Sequence, residues 1–203
     1  MILKKLILAF FVVVFSNTLL SAAPIETHNR FLGKADAPVT IYEFASIACH
    51  YCAQFDKEIK PKIIQDYVDA GKVKIVFMDV PFGSEANLFA HSLLYQTKNN
   101  EDFFKLISVF MENQAKLQNV NDVKVYAKLM GISDKSIDFA LNNKEFREAF
   151  IKKSQEYMKS LAIEGTPTLF FVKTGTPLTA SSVKLVGLKP YDAIKREIDR
   201  LLK

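Results

Sequence analysis

The feature that most constrains the fold of this chain is the position of its only two cysteines, Cys49 and Cys52, between two differently patterned segments. The segment before them, residues 39–44, is β-branched and aromatic, which is typical of a buried strand. The segment after them, residues 53–70, repeats apolar residues at helical spacing. The two cysteines are therefore predicted to open a helix that directly follows a strand.

This position favours a reactive thiol at Cys49. A cysteine at the start of a helix faces unpaired backbone N–H groups and the positive end of the helix dipole, which stabilise its thiolate. We therefore expect the pKa of Cys49 to lie below that of an ordinary thiol, with His50 as a candidate hydrogen-bond donor to its sulfur. The thiolate is the form that attacks disulfides, so the pair predicts thiol–disulfide exchange.

Two other interpretations of the cysteine pair stay open. The cysteines could be inert core residues, or they could form half of a metal site. A zinc site needs further ligands, but the only histidines, His28, His50 and His91, are not at ligand spacing from one another. Two thiolates suit Cu(I), which makes an exported copper-binding module the alternative from a different functional class. No metal and no cofactor are predicted.

The first 23 residues have the pattern of a secretory signal, with a basic end, an apolar run over residues 6–15 and small residues at 21–23. The apolar run is shorter than the about 20 residues of an ordinary spanning helix. Cleavage after position 23 is expected. Because Pro24 is an awkward neighbour for a signal peptidase, a retained membrane tether is the alternative.

The composition of the remaining chain excludes some functions. Without residues 1–23, which hold two lysines and no acidic residue, 25 basic side chains stand against 22 acidic ones. These charges alternate, and no basic cluster with interleaved aromatics predicts a nucleic-acid surface. No linker or repeat divides the chain, so one compact unit is expected. A disulfide between Cys49 and Cys52 would close too short a loop to stabilise the fold of an exported protein. This favours a redox role for the pair over a structural one.

The order of the predicted elements defines the fold class. After the first helix, which ends at Gly71, the pattern predicts a strand at 73–80, about five helices over 84–163, a hairpin from 168–172 and 183–186, and a final helix from 190 to 202. This order predicts an α/β protein with a thioredoxin fold split by a helical insertion. The predicted divisions are a signal peptide at 1–23, an N-terminal half at 24–83, the insertion at 84–163 and a C-terminal half at 164–203.

From Gly33 onward the chain resembles the DsbA-like family of exported thiol oxidoreductases. Three motifs carry the resemblance: Gly-Lys-Ala-Asp-Ala-Pro-Val-Thr at 33–40 leading into Ile-Tyr-Glu-Phe-Ala-Ser, Cys49-His50-Tyr51-Cys52, and Gly165-Thr166-Pro167-Thr168 before an apolar strand.

The resemblance implies distinct roles for these residues. Cys49 is expected to be the exposed nucleophile and Cys52 the buried resolving thiol of a redox-active disulfide. The bond between Thr166 and Pro167 is expected to be cis and packed against that disulfide. Thr166, Pro167 and Tyr51 are then the predicted substrate-binding residues, because a cis turn would expose the Thr166 backbone to an extended substrate segment.

The resemblance also implies a biological role. The expected activity is a monomeric oxidase of cysteine-containing exported polypeptides in the bacterial periplasm or an equivalent compartment, recycled by a quinone-linked membrane partner. The best-known members carry Pro-His between the cysteines, whereas this chain carries His50 and Tyr51. The sequence therefore leaves the reduction potential open, and a disulfide isomerase or reductase of the same fold is the nearest alternative.

Glu43 is a carboxylate in an otherwise apolar strand, which is costly unless the group is paired or used. Strand alternation and its position in the family place it beneath the cysteines. We predict that it accepts a proton from Cys52, with Lys72 or Lys74 as its partner. The alternative is a solvent-facing residue on an edge strand.

Overall fold

The computed structural model describes residues 30–203, so the predicted signal segment lies outside the described residues. These residues form one five-stranded sheet with helices on both faces. In chain order the elements are β1 (Phe31–Leu32), β2 (Val39–Ala45), α1 (His50–Gln54), α2 (Lys60–Ile63), β3 (Val73–Asp79), α3 (Glu85–Leu94), α4 (Asn100–Glu112), α5 (Val120–Leu129), α6 (Asp134–Asn142), α7 (Lys144–Ser160), β4 (Thr168–Lys173), β5 (Val183–Val186) and α8 (Tyr191–Leu202).

The helix that follows the cysteines is longer and less regular than α1 and α2 alone. Two π-helical stretches, Phe55–Ile59 and Ile64–Val68, continue it, and we call the whole of residues 50–68 the cysteine helix. Pro61 has no backbone N–H to donate to the preceding turn, and the wider π form accommodates the missing bond there. The predicted helix is confirmed, with its start directly after Cys49.

The sheet has the strand order β1-β3-β2-β4-β5, so β2 lies at its centre. β2 pairs parallel with β3 and antiparallel with β4, and β4 pairs antiparallel with β5. The predicted strand–helix–strand unit and the C-terminal hairpin are therefore confirmed. The central place of β2 also rules out the edge-strand alternative for Glu43.

Each face of the sheet has its own helices. On one face, Val39 and Ile41 of β2 pack with the cysteine helix and with Ile194 and Ile198 of α8. On the other face, the α7 segment packs on apolar side chains of β2, β3 and β4: Phe44, Val76, Met78 and Phe170. The cysteine helix is thus held between the central strand and the helices around it.

Five helices, α3 to α7, lie between β3 and β4, as the sequence predicts. Each begins at a side chain that accepts a backbone hydrogen bond from the first helical turn, namely Ser84, Asn99, Asn119, Ser133 and Asn143. The apolar faces of α3 to α6 form a core that continues to Ala45 and Cys52. The helical insertion therefore contributes directly to the surroundings of the cysteines.

One element was not predicted. β1 has two residues and pairs antiparallel with β3 at the sheet edge, and so short a strand has no detectable periodicity. Among residues 30–203, no helix is long and apolar enough to cross a membrane.

Candidate active site

Cys49 and Cys52 lie at the start of the cysteine helix, as predicted. Cys49 directly precedes α1 and is partly exposed, whereas Cys52 lies in the first turn and is fully buried. Both are free thiols in this structure. The partly exposed sulfur is accessible to another molecule, and the buried one is accessible only to its neighbour.

The surroundings of Cys49 stabilise its thiolate. A hydrogen bond from the Cys52 thiol is the main cause that lowers the pKa of Cys49 to about 5, against the opposing effect of partial burial. Hydrogen bonds from the Thr166 side chain and from the backbone N–H groups of Tyr51 and Cys52 add to it. The pKa of Cys49 is thus lowered, as the position at the helix start predicted, and the hydrogen bond from Cys52 is the largest cause.

Cys52 has the opposite acidity. Burial raises the pKa of the Cys52 thiol, and the hydrogen bond that it donates to Cys49 raises it further. A hydrogen bond with the Ser46 backbone acts in the other direction. One thiol of the pair is therefore ionised near neutral pH while the other keeps its proton.

The loop before β4 lies against the cysteines. The peptide bond between Thr166 and Pro167 is cis, as the resemblance implied. The Cys49 sulfur lies 3.4 Å from the carbonyl oxygen of Thr166, to which it donates when it is protonated. Pro167 is buried, and its carbonyl accepts a hydrogen bond of 2.7 Å from the backbone of Gly187. The loop is thereby fixed to the end of β5.

His50 and Tyr51 are both exposed. Their rings meet edge to face, with centroids 5.7 Å apart, and Tyr51 is 58% exposed. Within residues 30–203 no hydrogen bond joins His50 to Cys49, so the structure does not contain the donor role expected of His50. Both side chains stay predicted site residues because they flank the thiol pair on its open side.

Gln114 is a site residue that the sequence did not reveal. Its Nε2 donates hydrogen bonds to the carbonyl oxygens of Ile47 at 2.6 Å and Cys49 at 2.9 Å. It lies just after α4, more than 60 positions from the loop that it holds. No local pattern signals such a contact, since it depends on the packing of the insertion against the cysteine loop.

Glu43 is fully buried and forms an ion pair with Lys60 of the cysteine helix, at 3.0 Å between Oε1 and Nζ. Lys60 also pairs with Asp56 one turn earlier, and we call Glu43, Asp56 and Lys60 the lysine cluster. The prediction that Lys72 or Lys74 is the partner of Glu43 is therefore wrong. Lys74 pairs in register with Thr40 and so lies on the other face of the sheet, and Lys72 precedes β3.

The lysine cluster holds two carboxylates and one ammonium. Burial raises the pKa of Glu43, Lys60 lowers it, and Asp56 raises it again. For Lys60, burial lowers the pKa, but the two carboxylates reverse this and raise it. Glu43 Oε2 has no hydrogen-bond partner among the described residues. Glu43 is therefore the member of the cluster best suited to gain and lose a proton.

A groove of ≈ 720 Å³ runs beside the thiol pair, between the cysteine helix and the end of α4. Its lining includes His50, Gln54 and Lys57 on one side and Met111 and Gln114 on the other. Among residues 30–203, no group of three or more His, Cys, Asp or Glu side chains is placed to hold a metal ion.

Comparisons with known proteins agree with this fold and site. The thioredoxin family profile matches residues 26–178. Disulfide bond formation protein D of Bacillus subtilis is 26% identical over 198 residues, covering 92% of this chain and 83% of that protein. A probable protein of the same name from Bacillus anthracis is 26% identical over 185 residues, covering 86% and 79%. The crystal structure of Wolbachia pipientis alpha-DsbA1 superposes with a TM-score of 0.76 at 24% identity, covering 85% of this chain and 90% of that one.

A protein of this fold, in which one thiol is ionised and its neighbour keeps its proton, is a thiol:disulfide oxidoreductase. The chain belongs to the thioredoxin family, among its DsbA-like members.

The contacts of Cys49 predict how its acidity responds to substitution. Thr166→Val removes a hydroxyl donor and should raise the pKa of Cys49 above about 5, whereas His50→Ala should leave it nearly unchanged. Thiolate absorbance, titrated against pH in the reduced protein, measures both. A larger rise with His50→Ala than with Thr166→Val would show that the imidazole, not the hydroxyl, stabilises the sulfur.

Proposed function

We propose that this protein introduces disulfide bonds into exported polypeptides, as an oxidase. The observation that carries the proposal is the lowered pKa of Cys49, about 5. A stabilised thiolate favours the reduced form of the pair and makes Cys49 a good leaving group, and both effects favour transfer of the disulfide to a substrate. The names of the relatives, disulfide bond formation proteins, support this direction.

The proposed reaction has two exchange steps. A substrate thiolate attacks the Cys49 sulfur of the oxidised pair, the bond between Cys49 and Cys52 breaks, and Cys52 leaves and takes up a proton. A second substrate thiolate then attacks the substrate sulfur that is bound to Cys49 and releases Cys49 as a thiolate. Two substrate thiols are oxidised to one disulfide, and the enzyme disulfide is reduced by the same two electrons.

Glu43 is proposed to exchange the proton of Cys52. Its side chain lies on the face of β2 that the cysteine helix covers, because it pairs with Lys60 of that helix. Two residues further on, Ala45 packs in the same core as Cys52. A buried carboxylate with a raised pKa can protonate the leaving thiolate and take the proton back when Cys52 must attack.

Substrate is proposed to bind at the open side of the pair. Cys49 is the partly exposed thiol of the pair, and it lies beside Thr166 and the exposed ring of Tyr51. Pro167 anchors the Thr166 loop through its hydrogen bond with Gly187. An extended segment with a cysteine could align there by backbone hydrogen bonds, as in strand addition.

The proposed setting is the bacterial periplasm or an equivalent extracytoplasmic space, with the protein acting as a monomer. The secretory pattern of residues 1–23 supports export. Reduced enzyme must be reoxidised after each turnover, and a quinone-linked membrane partner is the proposed oxidant.

The direction of exchange tests the oxidase proposal. Oxidised protein mixed with a reduced two-cysteine peptide should convert the peptide to its disulfide form, leaving the enzyme reduced at a reduction potential above that of the glutathione pool. Alkylation of free thiols followed by mass spectrometry measures both species. Slow oxidation combined with fast rearrangement of a peptide that carries wrong disulfides would instead identify an isomerase.

The unequal roles of the two thiols predict an asymmetry in trapping. With Cys52→Ala expressed in its own compartment, Cys49 should accumulate mixed disulfides with exported proteins, because the thiol that would release them is missing. Cys49→Ala, the matched control, should trap far fewer, since Cys52 is buried. Non-reducing gels and mass spectrometry of the adducts compare them. Equal trapping by both variants, or none by either, would contradict the mechanism and favour the copper-binding alternative.

The role of Glu43 can be separated from that of the thiols with a chromogenic aromatic disulfide, which releases one coloured thiolate when Cys49 attacks and a second when Cys52 resolves the adduct. Glu43→Gln should slow the second release by about 100-fold, the lower range for a positioned acid–base group, and leave the first unchanged. Stopped-flow absorbance follows both releases, with Glu58→Gln, an exposed carboxylate on the cysteine helix, as control. An equal effect on both releases would make Glu43 structural.

A further inference from the structure

A buried chain of four polar side chains lies behind the cysteines and has no part in the mechanism above. Ser46 Oγ lies 3.0 Å from His91 Nε2, His91 Nδ1 contacts Asp79 Oδ1, and the Tyr95 hydroxyl donates to Asp79 Oδ2 at 3.2 Å. We call Ser46, His91, Asp79 and Tyr95 the serine–histidine chain. Ser46 and His91 are fully buried, and Asp79 is nearly so.

The hydrogen bonds of this chain converge on the Asp79 carboxylate from both ends. The Asp79 carboxylate only accepts, so His91 donates from Nδ1 and its Nε2 is left to accept from the Ser46 hydroxyl. Ser46 Oγ in turn accepts from the backbone N–H of Ala48 at 3.2 Å. Every polar group is thereby used, and the side chain of Ser46 is held at both its donor and its acceptor side.

Ser46 is held in a position where its backbone contacts both cysteines. Its carbonyl accepts a hydrogen bond from the backbone N–H of Cys49 at 3.1 Å. A hydrogen bond from the Ser46 backbone also acts to lower the pKa of the Cys52 thiol. The latter contact is the largest of those that favour the Cys52 thiolate. Movement of the Ser46 backbone would therefore act on Cys52 at the step in which this thiol must ionise.

A hydrolytic role for these residues does not fit. A serine, a histidine and an aspartate linked by hydrogen bonds can form a triad in which the serine hydroxyl is the nucleophile. Such a serine must be accessible to its substrate. Ser46 and His91 are both fully buried, and the Ser46 oxygen already accepts a bond from Ala48. The arrangement is suited to hold a loop, not to attack a carbonyl.

We propose that the serine–histidine chain positions the Ser46 backbone against Cys52 and thereby sets the rate at which Cys52 resolves the mixed disulfide. The inference rests on the exchange mechanism given under the proposed function. His91 lies on α3 and Tyr95 follows that helix, so the helical insertion reaches the resolving thiol through these two side chains. Asp79 ends β3 and faces Ala45, the last residue of β2, in the sheet register.

The test uses variants at two different elements. Ser46→Ala removes the hydroxyl, and His91→Asn keeps a group near the Nδ1 position but loses the one that contacts Ser46. Each should slow the second release of coloured thiolate from the aromatic disulfide roughly three- to tenfold, the effect of one hydrogen bond, and leave the first release unchanged. His91→Gln places an amide near the Nε2 position and should restore part of the rate.

Ser92→Ala is the matched control, because Ser92 is equally buried on α3 but, within residues 30–203, its hydroxyl bonds only the carbonyl of Leu88, at 2.9 Å. It should resolve at the wild-type rate. Melting temperatures report folding, and if either Ser46→Ala or His91→Asn does not fold, the other decides the matter.

The outcomes separate this inference from the proposed function. If the wild-type protein releases no second thiolate, the exchange mechanism itself fails. If it does, and both variants resolve at the wild-type rate, the positioning role is wrong. An equal slowing of both releases, or the same slowing in Ser92→Ala, would also overturn it, because a general structural defect has no preference for Cys52.

Discussion

The hydrogen bond from the Cys52 thiol to the Cys49 sulfur is the interaction on which the active site depends. It shares one proton unequally between two sulfurs, which lowers the pKa of Cys49 and raises that of Cys52. The bond requires one sulfur at the solvent boundary and the other inside the core. The first turn of a helix that begins at a strand end supplies this arrangement, since three residues carry the chain from the boundary into the core.

The central strand places a different polar group on each side of this pair. Glu43 lies on the face of β2 that the cysteine helix covers, and Ser46 directly follows the strand on the opposite alternation. Glu43 belongs to a cluster with an excess of carboxylate over ammonium, which is a reason for it to hold a proton. Ser46 belongs to a chain in which each donor has an acceptor, which is a reason for it to stay fixed. One end of one strand thus holds both of the groups that we propose act on Cys52.

The secondary-structure elements could be predicted from local sequence patterns, whereas contacts between residues far apart in the chain could not. The strand, the helix start at Cys49, the five inserted helices and the C-terminal hairpin follow from periodicity and cap residues. The partner of Glu43 was predicted on the wrong element, because a sequence does not show that a lysine in the middle of the cysteine helix lies over the same sheet face. Gln114 and His91 reach the cysteine loop from the insertion, and neither lies in a motif.

The bonds from Gln114 have a consequence for how the molecule can be divided. This side chain anchors the carbonyl oxygens of Ile47 and Cys49, the two ends of the loop that leads into the nucleophile. The inserted helices therefore help to hold the active-site loop in place. A shortened chain that joined β3 directly to β4 would lose both of these bonds and with them the anchor of the loop that carries the nucleophile.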